Sequence, residues 1–87
     1  MTLNFPNDSR SYDATRRAVR FWGHDSAMES SFFLTDDALK RLQPAPAYDE
    51  AAALGVFDRN RSAIYAAAVK VYSRGRKGSY DLRAADF

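Results

Sequence analysis

The chain contains no cysteine, which excludes a disulfide framework and every chemistry that runs through a thiolate: zinc–sulfur sites, redox exchange and thiol nucleophiles. A domain this short in an oxidising compartment commonly carries bridges, so their absence points to a reducing cytosol. Histidine occurs once, and a zinc site without cysteine would then need several carboxylates. No stretch approaches the ~20 apolar residues that span a bilayer. The start, "MTLNFPNDSR", lacks the basic patch and apolar run of an export signal. The expectation is a cytoplasmic protein, neither exported nor embedded in a membrane. Internal repeats and low-complexity tracts are missing as well.

What is present favours folding. Hydrophobic residues make up 46% of the 87, with six Phe, five Tyr and one Trp, and the net charge is only +2; such a chain is too apolar to stay disordered. Its length suits one domain, residues 1–87, burying about 60 to 65% of its unfolded surface, which leaves little room for both a core and a deep catalytic pocket. The charge is uneven. Residues 1–57 hold six Lys or Arg against eight Asp or Glu, giving −2, and residues 58–87 hold seven against three, giving +4.

Alternation of apolar and polar residues marks the strands. "RAVRFW" (17–22) sets Val19 and Phe21 on one face and Ala18, Arg20 and Trp22 on the other, and "AMESSFFL" (27–34) sets Met28, Phe32 and Leu34 against Glu29 and Phe33. The intervening "GHDS" reads as a tight turn, so a hairpin is expected with Trp22 opposite Ala27, Phe21 opposite Met28 and Arg20 opposite Glu29. An edge strand around residues 2–5, "TLNF", ends at Pro6. Thr35 reads as an N-cap, with Asp36 and Asp37 at the positive end of a short helix to Leu42. The loop "PAPAY" (44–48) separates it from a second helix, "YDEAAALGVF", weakened at Gly55. Asp58 to Tyr72 repeats Ile64, Ala68 and Val71 at helical spacing, which predicts a long helix or a kinked pair ended by Arg74 and Gly75. In "GSYDLRAADF", Tyr80 and Leu82 alternate with charges and predict a closing strand. The order implies an α+β, two-layer domain: a mainly antiparallel sheet with two or three helices on one face.

"NFPNDSRSYD" near the start, "VRFWG" on the first hairpin strand, "FFLTDDALKRL" from strand into helix, "FDRNRSAI" opening the long helix and the terminal "ADF" together resemble a family of small bacterial proteins, domain of unknown function 1488. The resemblance implies this architecture and a cytoplasmic bacterial setting. It implies no activity, cofactor or catalytic residue.

Several stretches imitate chemistry. "WGHDS" (22–26) sets His24, Asp25 and Ser26 side by side, but a Ser-His-Asp site needs two hydrogen bonds of about 2.6 to 3.2 Å in series, which adjacent turn residues do not make. The expected role of His24 is a solvated turn residue. "DRNRS" (58–62) begins like a calcium loop, yet Ala63 stands where that loop needs Gly and Val69 where it needs Glu; helix capping by Asp58 or Asn60 is the expected role. "RGRKGS" lacks the order of a phosphate loop and follows a helix. These patterns imply no catalytic residue, metal or cofactor.

Two surfaces remain. Trp22 and Phe33 fall on the sheet face that a two-layer domain leaves open, and an exposed aromatic patch there would serve self-association, a homodimer included, or another protein partner. They sit at opposite ends of neighbouring strands, so contact between them would need a bridge such as Tyr12, Tyr80 or Phe87. The bland alternative is isolated aromatics, or cover by the N-terminal segment or the tail. The second surface is basic: Lys70, Arg74, Arg76 and Lys77 offer weak phosphate contacts to nucleic acid, or simply a solvated loop. Non-enzymatic association is the leading expectation, nucleic-acid binding the alternative, and no membrane role is foreseen.

Overall fold

Alternating apolar residues build four strands among the described residues of this computed structural model, which describes residues 3–6, 8–75 and 77–87. They are β1 (Arg10–Asp13), β2 (Ala18–Asp25), β3 (Met28–Leu34) and β4 (Ser79–Leu82). Between β3 and β4 run three helices, α1 (Asp36–Leu42), α2 (Glu50–Arg59) and α3 (Arg61–Ser73), and a 3-10 turn at Ala84–Asp86 follows β4. The sheet order is β1-β2-β3-β4. β1 with β2 and β2 with β3 are antiparallel, whereas β3 with β4 is parallel, as a strand reached through a helical crossover can be. The fold is α+β, as the sequence predicts.

Val19, Phe21, Phe32, Leu34, Tyr80 and Leu82 cover one sheet face and meet Ala38, Leu39, Ala53, Val56, Phe57, Ile64, Ala68 and Tyr72 of the helices. Aromatic rings dominate this contact. Phe32 stacks on Phe21 and on Tyr80 at centroid distances of 5.3 and 5.0 Å, and Phe57 tilts against Phe21 at 5.1 Å. Such pairs contribute about 0.5 to 1.5 kcal/mol beyond their buried area.

Several expectations are corrected. The hairpin is longer than its turn residues imply: Trp22 through Asp25 stay in β2, and the two-residue loop is Ser26 and Ala27, with Ser26 at φ 55°. Phe21 therefore faces Phe32, Arg20 faces Phe33 and His24 faces Glu29. Met28, placed beside the loop, is 66% exposed instead of core. The strand expected at 2–5 is a single bridge between Asn4 and His24, with Thr2 outside the described residues. β1 was not foreseen, although its turn has a signature: the Asp13 carboxylate accepts the Arg16 N–H at 3.1 Å, and Arg17 takes φ 51°. That Asx geometry reverses the chain into β2.

The long helical stretch is a broken pair. Its break lies at Asn60 and not at Gly55, because Asn60 leaves helical geometry (φ −124°, ψ 22°) while its side-chain amide donates to the Val56 carbonyl at 2.8 Å. Asn60 thus closes the end of α2 instead of capping α3. Asp49 caps α2, accepting the Ala52 N–H at 2.7 Å. Thr35 occupies the N-cap position of α1, but its hydroxyl shares its one proton between the Asp37 carboxylate and the Leu82 carbonyl, 3.0 Å away.

Candidate interaction surface

The sheet face away from the helices carries, by strand alternation, Ser11 and Asp13 from β1, Ala18, Arg20, Trp22 and His24 from β2, Glu29, Ser31 and Phe33 from β3, and Ser79 and Asp81 from β4. Ladder pairing aligns them in rows, one reading Ser11, Arg20, Phe33, Asp81 and the next Trp22, Ser31, Ser79. Arg20 is the centre of this surface. Its guanidinium lies 5.0 Å from the Trp22 ring and 5.8 Å from that of Phe33, and Nη2 donates to Ser31 Oγ at 3.1 Å. Nε of Arg20 is buried without a hydrogen-bond partner. Among the described residues no carboxylate pairs with Arg20.

The two aromatics named from the sequence fare differently. Phe33 is only 6% exposed, because the Arg16 guanidinium, delivered by the β1–β2 turn, lies 4.2 Å above its ring. It is therefore the floor of the surface and not a free contact. Trp22 is half-buried. The bridge between them is Arg20, whereas Tyr12 and Tyr80 lie on the helix-facing side and Phe87 packs against the core. Among the described residues of the N-terminal segment, Phe5 does not cover them: it stacks on Tyr65 at 4.1 Å and touches Phe21 and Phe32 on the opposite side of the sheet. Sequence reasoning missed Arg16 and Arg20. The signal was the pairing of a cation at alternate positions with Trp22 and Phe33.

His24 and Asp25, being consecutive strand residues, point to opposite faces. His24 Nε2 lies 3.6 Å from the Glu29 carboxylate, while the Asp25 carboxylate accepts the Tyr72 hydroxyl at 2.8 Å. No triad geometry forms there, and His24 is a half-buried strand residue instead of a solvated turn. Among the described residues no three His, Asp or Glu side chains gather to hold a metal. Asp58, in turn, is an ion-pair hub. It accepts Arg10 Nε and Nη2 at 3.0 and 2.9 Å and Arg61 Nη2 at 2.8 Å, and the Arg10 hydrogen bonds hold its carboxyl below the usual range.

The basic segment is dispersed. Lys70 lines a groove of about 530 Å³ whose walls include Leu42, Ala66 and Phe87. Arg74 lies 3.6 Å from the Asp86 carboxylate, and Lys77 is exposed, its backbone N–H donating to the Tyr80 hydroxyl at 2.7 Å. Arg76 lies outside the described residues.

A family model described as "Protein of unknown function (DUF1488)" matches residues 3–83. The chain belongs to the DUF1488 family. This is the family that the sequence resembles. A crystal structure of a DUF1488 protein of unknown function from Shewanella loihica PV-4 superposes with a TM-score of 0.82, covering 95% of this chain and 96% of that one at 18% identity. At that identity the likeness is one of fold. No curated protein matches the chain. No helix among the described residues is long and apolar enough to cross a membrane.

Proposed function

We propose that this DUF1488 protein is a non-enzymatic, cytoplasmic association module that binds protein through the open sheet face. The observation that carries the reading is the stack of Arg16, Phe33, Arg20 and Trp22 on that face, with Arg20 lacking any carboxylate of its own among the described residues. A guanidinium held near two aromatic rings and hydrogen-bonded to Ser31 is pre-organised, so little side-chain freedom is lost when a partner carboxylate or carbonyl meets it. Trp and Arg together are the residue types that dominate binding energy at protein interfaces. The fitting partner is a protein surface that presents carboxylates and hydroxyls around a small apolar centre.

The test is an affinity pull-down from the native cell with and without nuclease treatment, comparing the wild-type chain with Trp22→Ser, whose folding is verified by circular dichroism. A protein retained by the wild type and lost with Trp22→Ser supports the reading. Equal retention by both counts against it, as does recovery of nuclease-sensitive material that depends on Lys70 and Lys77.

A further inference from the structure

The groove beside Lys70 has a composition that selects a ligand. It runs between the end of α1, the outer side of α3 and the C-terminal turn, has a volume of about 530 Å³, and lies on the helix layer, away from the open sheet face. Its apolar surface comes from Leu42, from Ala63, Ala66 and Ala67 of α3, and from Phe87. The alanines create the groove: a helix that presents only methyl groups at positions i, i+3 and i+4 leaves open the space that longer side chains on that face would fill. The opposite wall is held in place. Asp37 accepts the Ala84 N–H at 3.1 Å, the Phe87 N–H donates to the Ala84 carbonyl at 3.1 Å, and Arg41 Nη2 donates to the Phe87 main-chain oxygen at 3.3 Å. A site formed before its ligand arrives loses little freedom on binding.

Charge along the groove is one-sided. Lys70 and Arg41 are its cations and Asp86 is the one carboxylate in its lining. Asp86 is committed elsewhere: one oxygen lies 3.6 Å from the Arg74 guanidinium, and the other accepts the Arg83 N–H at 2.8 Å. Among the described residues no Asp or Glu carboxylate pairs with Lys70 or Arg41. The volume falls in the range of small-molecule sites, about 300 to 1,000 Å³, where apolar walls carry the body of the ligand and a few polar groups fix its orientation. We infer that the groove is a binding site for a small amphipathic carboxylate. Its aliphatic chain lies along Ala63 and Ala66 between Leu42 and Phe87, and its acid group meets the Lys70 ammonium, with Arg41 adding to the positive potential. A cationic head group would meet two like charges there, and an uncharged one would gain nothing from them. Ala63, Ala66 and Lys70 are exposed, so the site is open to water and the binding is weak, with a Kd of roughly 1 to 10 mM for an eight-carbon acid.

Octanoate is the probe. Titrated into the nitrogen-15-labelled chain at neutral pH, it is expected to shift the amide signals of Ala63, Ala66, Lys70 and Phe87. Affinity should rise about two- to fourfold for each methylene added between hexanoate and decanoate, as partial to complete burial of that group requires. Octylammonium, with the same chain and the opposite charge, should bind about fivefold or more weakly. Lys70→Gln is expected to weaken octanoate binding roughly three- to fivefold and to flatten its salt dependence, since one exposed ion pair is removed. Ala66→Leu replaces an exposed residue with another strong helix former; it fills the groove and is expected to abolish binding while the melting temperature holds. Absence of shifts with octanoate up to about 30 mM, several times the expected constant, overturns the inference, as do shifts confined to other residues or equal binding of octylammonium. Octanoate binding that survives both Lys70→Gln and Ala66→Leu unchanged overturns it too. Trp22 lies on the opposite side of the molecule, so Trp22→Ser is expected to leave these titrations unaltered, and the groove and the open-face reading stand or fall separately.

Discussion

Gly23 lies on the core side of β2, opposite Ser30, and its value is space. A Cβ built there would come within 2.9 Å of Leu3 Cδ1, 3.0 Å of Phe5 Cε1 and 3.2 Å of Phe32 Cε2. Its φ is not positive, so conformation is not the reason for glycine. Gly23→Ala is therefore an overpacking change, expected to cost about 1 to 3 kcal/mol, which chemical denaturation would register as a lowered midpoint with an unchanged slope. An unaltered midpoint would mean that the N-terminal segment simply moves aside. At this same scale the open face was half legible. Period-two alternation put Trp22 and Phe33 on the outer side, because that follows from the strand backbone alone. The burial of Phe33 was not legible, since it depends on a turn that aims Arg16 back across the sheet.

Among the elements, α2 depends most on a single cap. Asp49 accepts the Ala52 N–H, and Asp49→Ala is expected to destabilise the protein by about 1 kcal/mol; a Tm within error of wild type would contradict this. α1 differs, for the Thr35 hydroxyl reaches Leu82 in β4 and the side chain of Asp37, tying helix to sheet instead of closing the helix end. The stretch that forms α2 and α3 was readable because its apolar spacing repeats over ten or more residues, and α1 was readable from Thr35, Asp36 and Asp37 at its start. Strand ends were not, since "GHDS" has turn-forming residues that cross-strand packing nevertheless holds in extended form. β1 is too short to show a period, and the direction of β4 is invisible to alternation, which is the same for either pairing.

Over the whole molecule, two carboxylates act as ties between distant segments. Asp58 joins Arg10 of β1 to α2 and α3, and Asp37 joins α1 to the C-terminal turn by accepting the Ala84 N–H at 3.1 Å. Both carboxyls are held below their ordinary value, Asp58 first by the Arg10 hydrogen bonds and Asp37 first by the Thr35 hydroxyl. A carboxyl with a depressed folded-state pKa contributes stability that is fully present above its unfolded value, about 3.9, and is lost as pH falls from there through the folded value. Denaturation midpoints should therefore drop below about pH 4, and the drop should be shallower in Asp58→Asn. An identical profile in that variant would remove Asp58 from the account. By itself, the sequence determined the class of the fold, the helices, the pairing of two central strands and which residues share each sheet face, because these follow from periods of 3.6 and 2 along the chain. Only the tertiary structure decided the hairpin register, the parallel return of β4 and the cover on Phe33. Each of those depends on where separate segments meet in space, and there packing among Phe21, Phe32 and Tyr80 and the reach of Arg16 and Arg20 outweigh local preference.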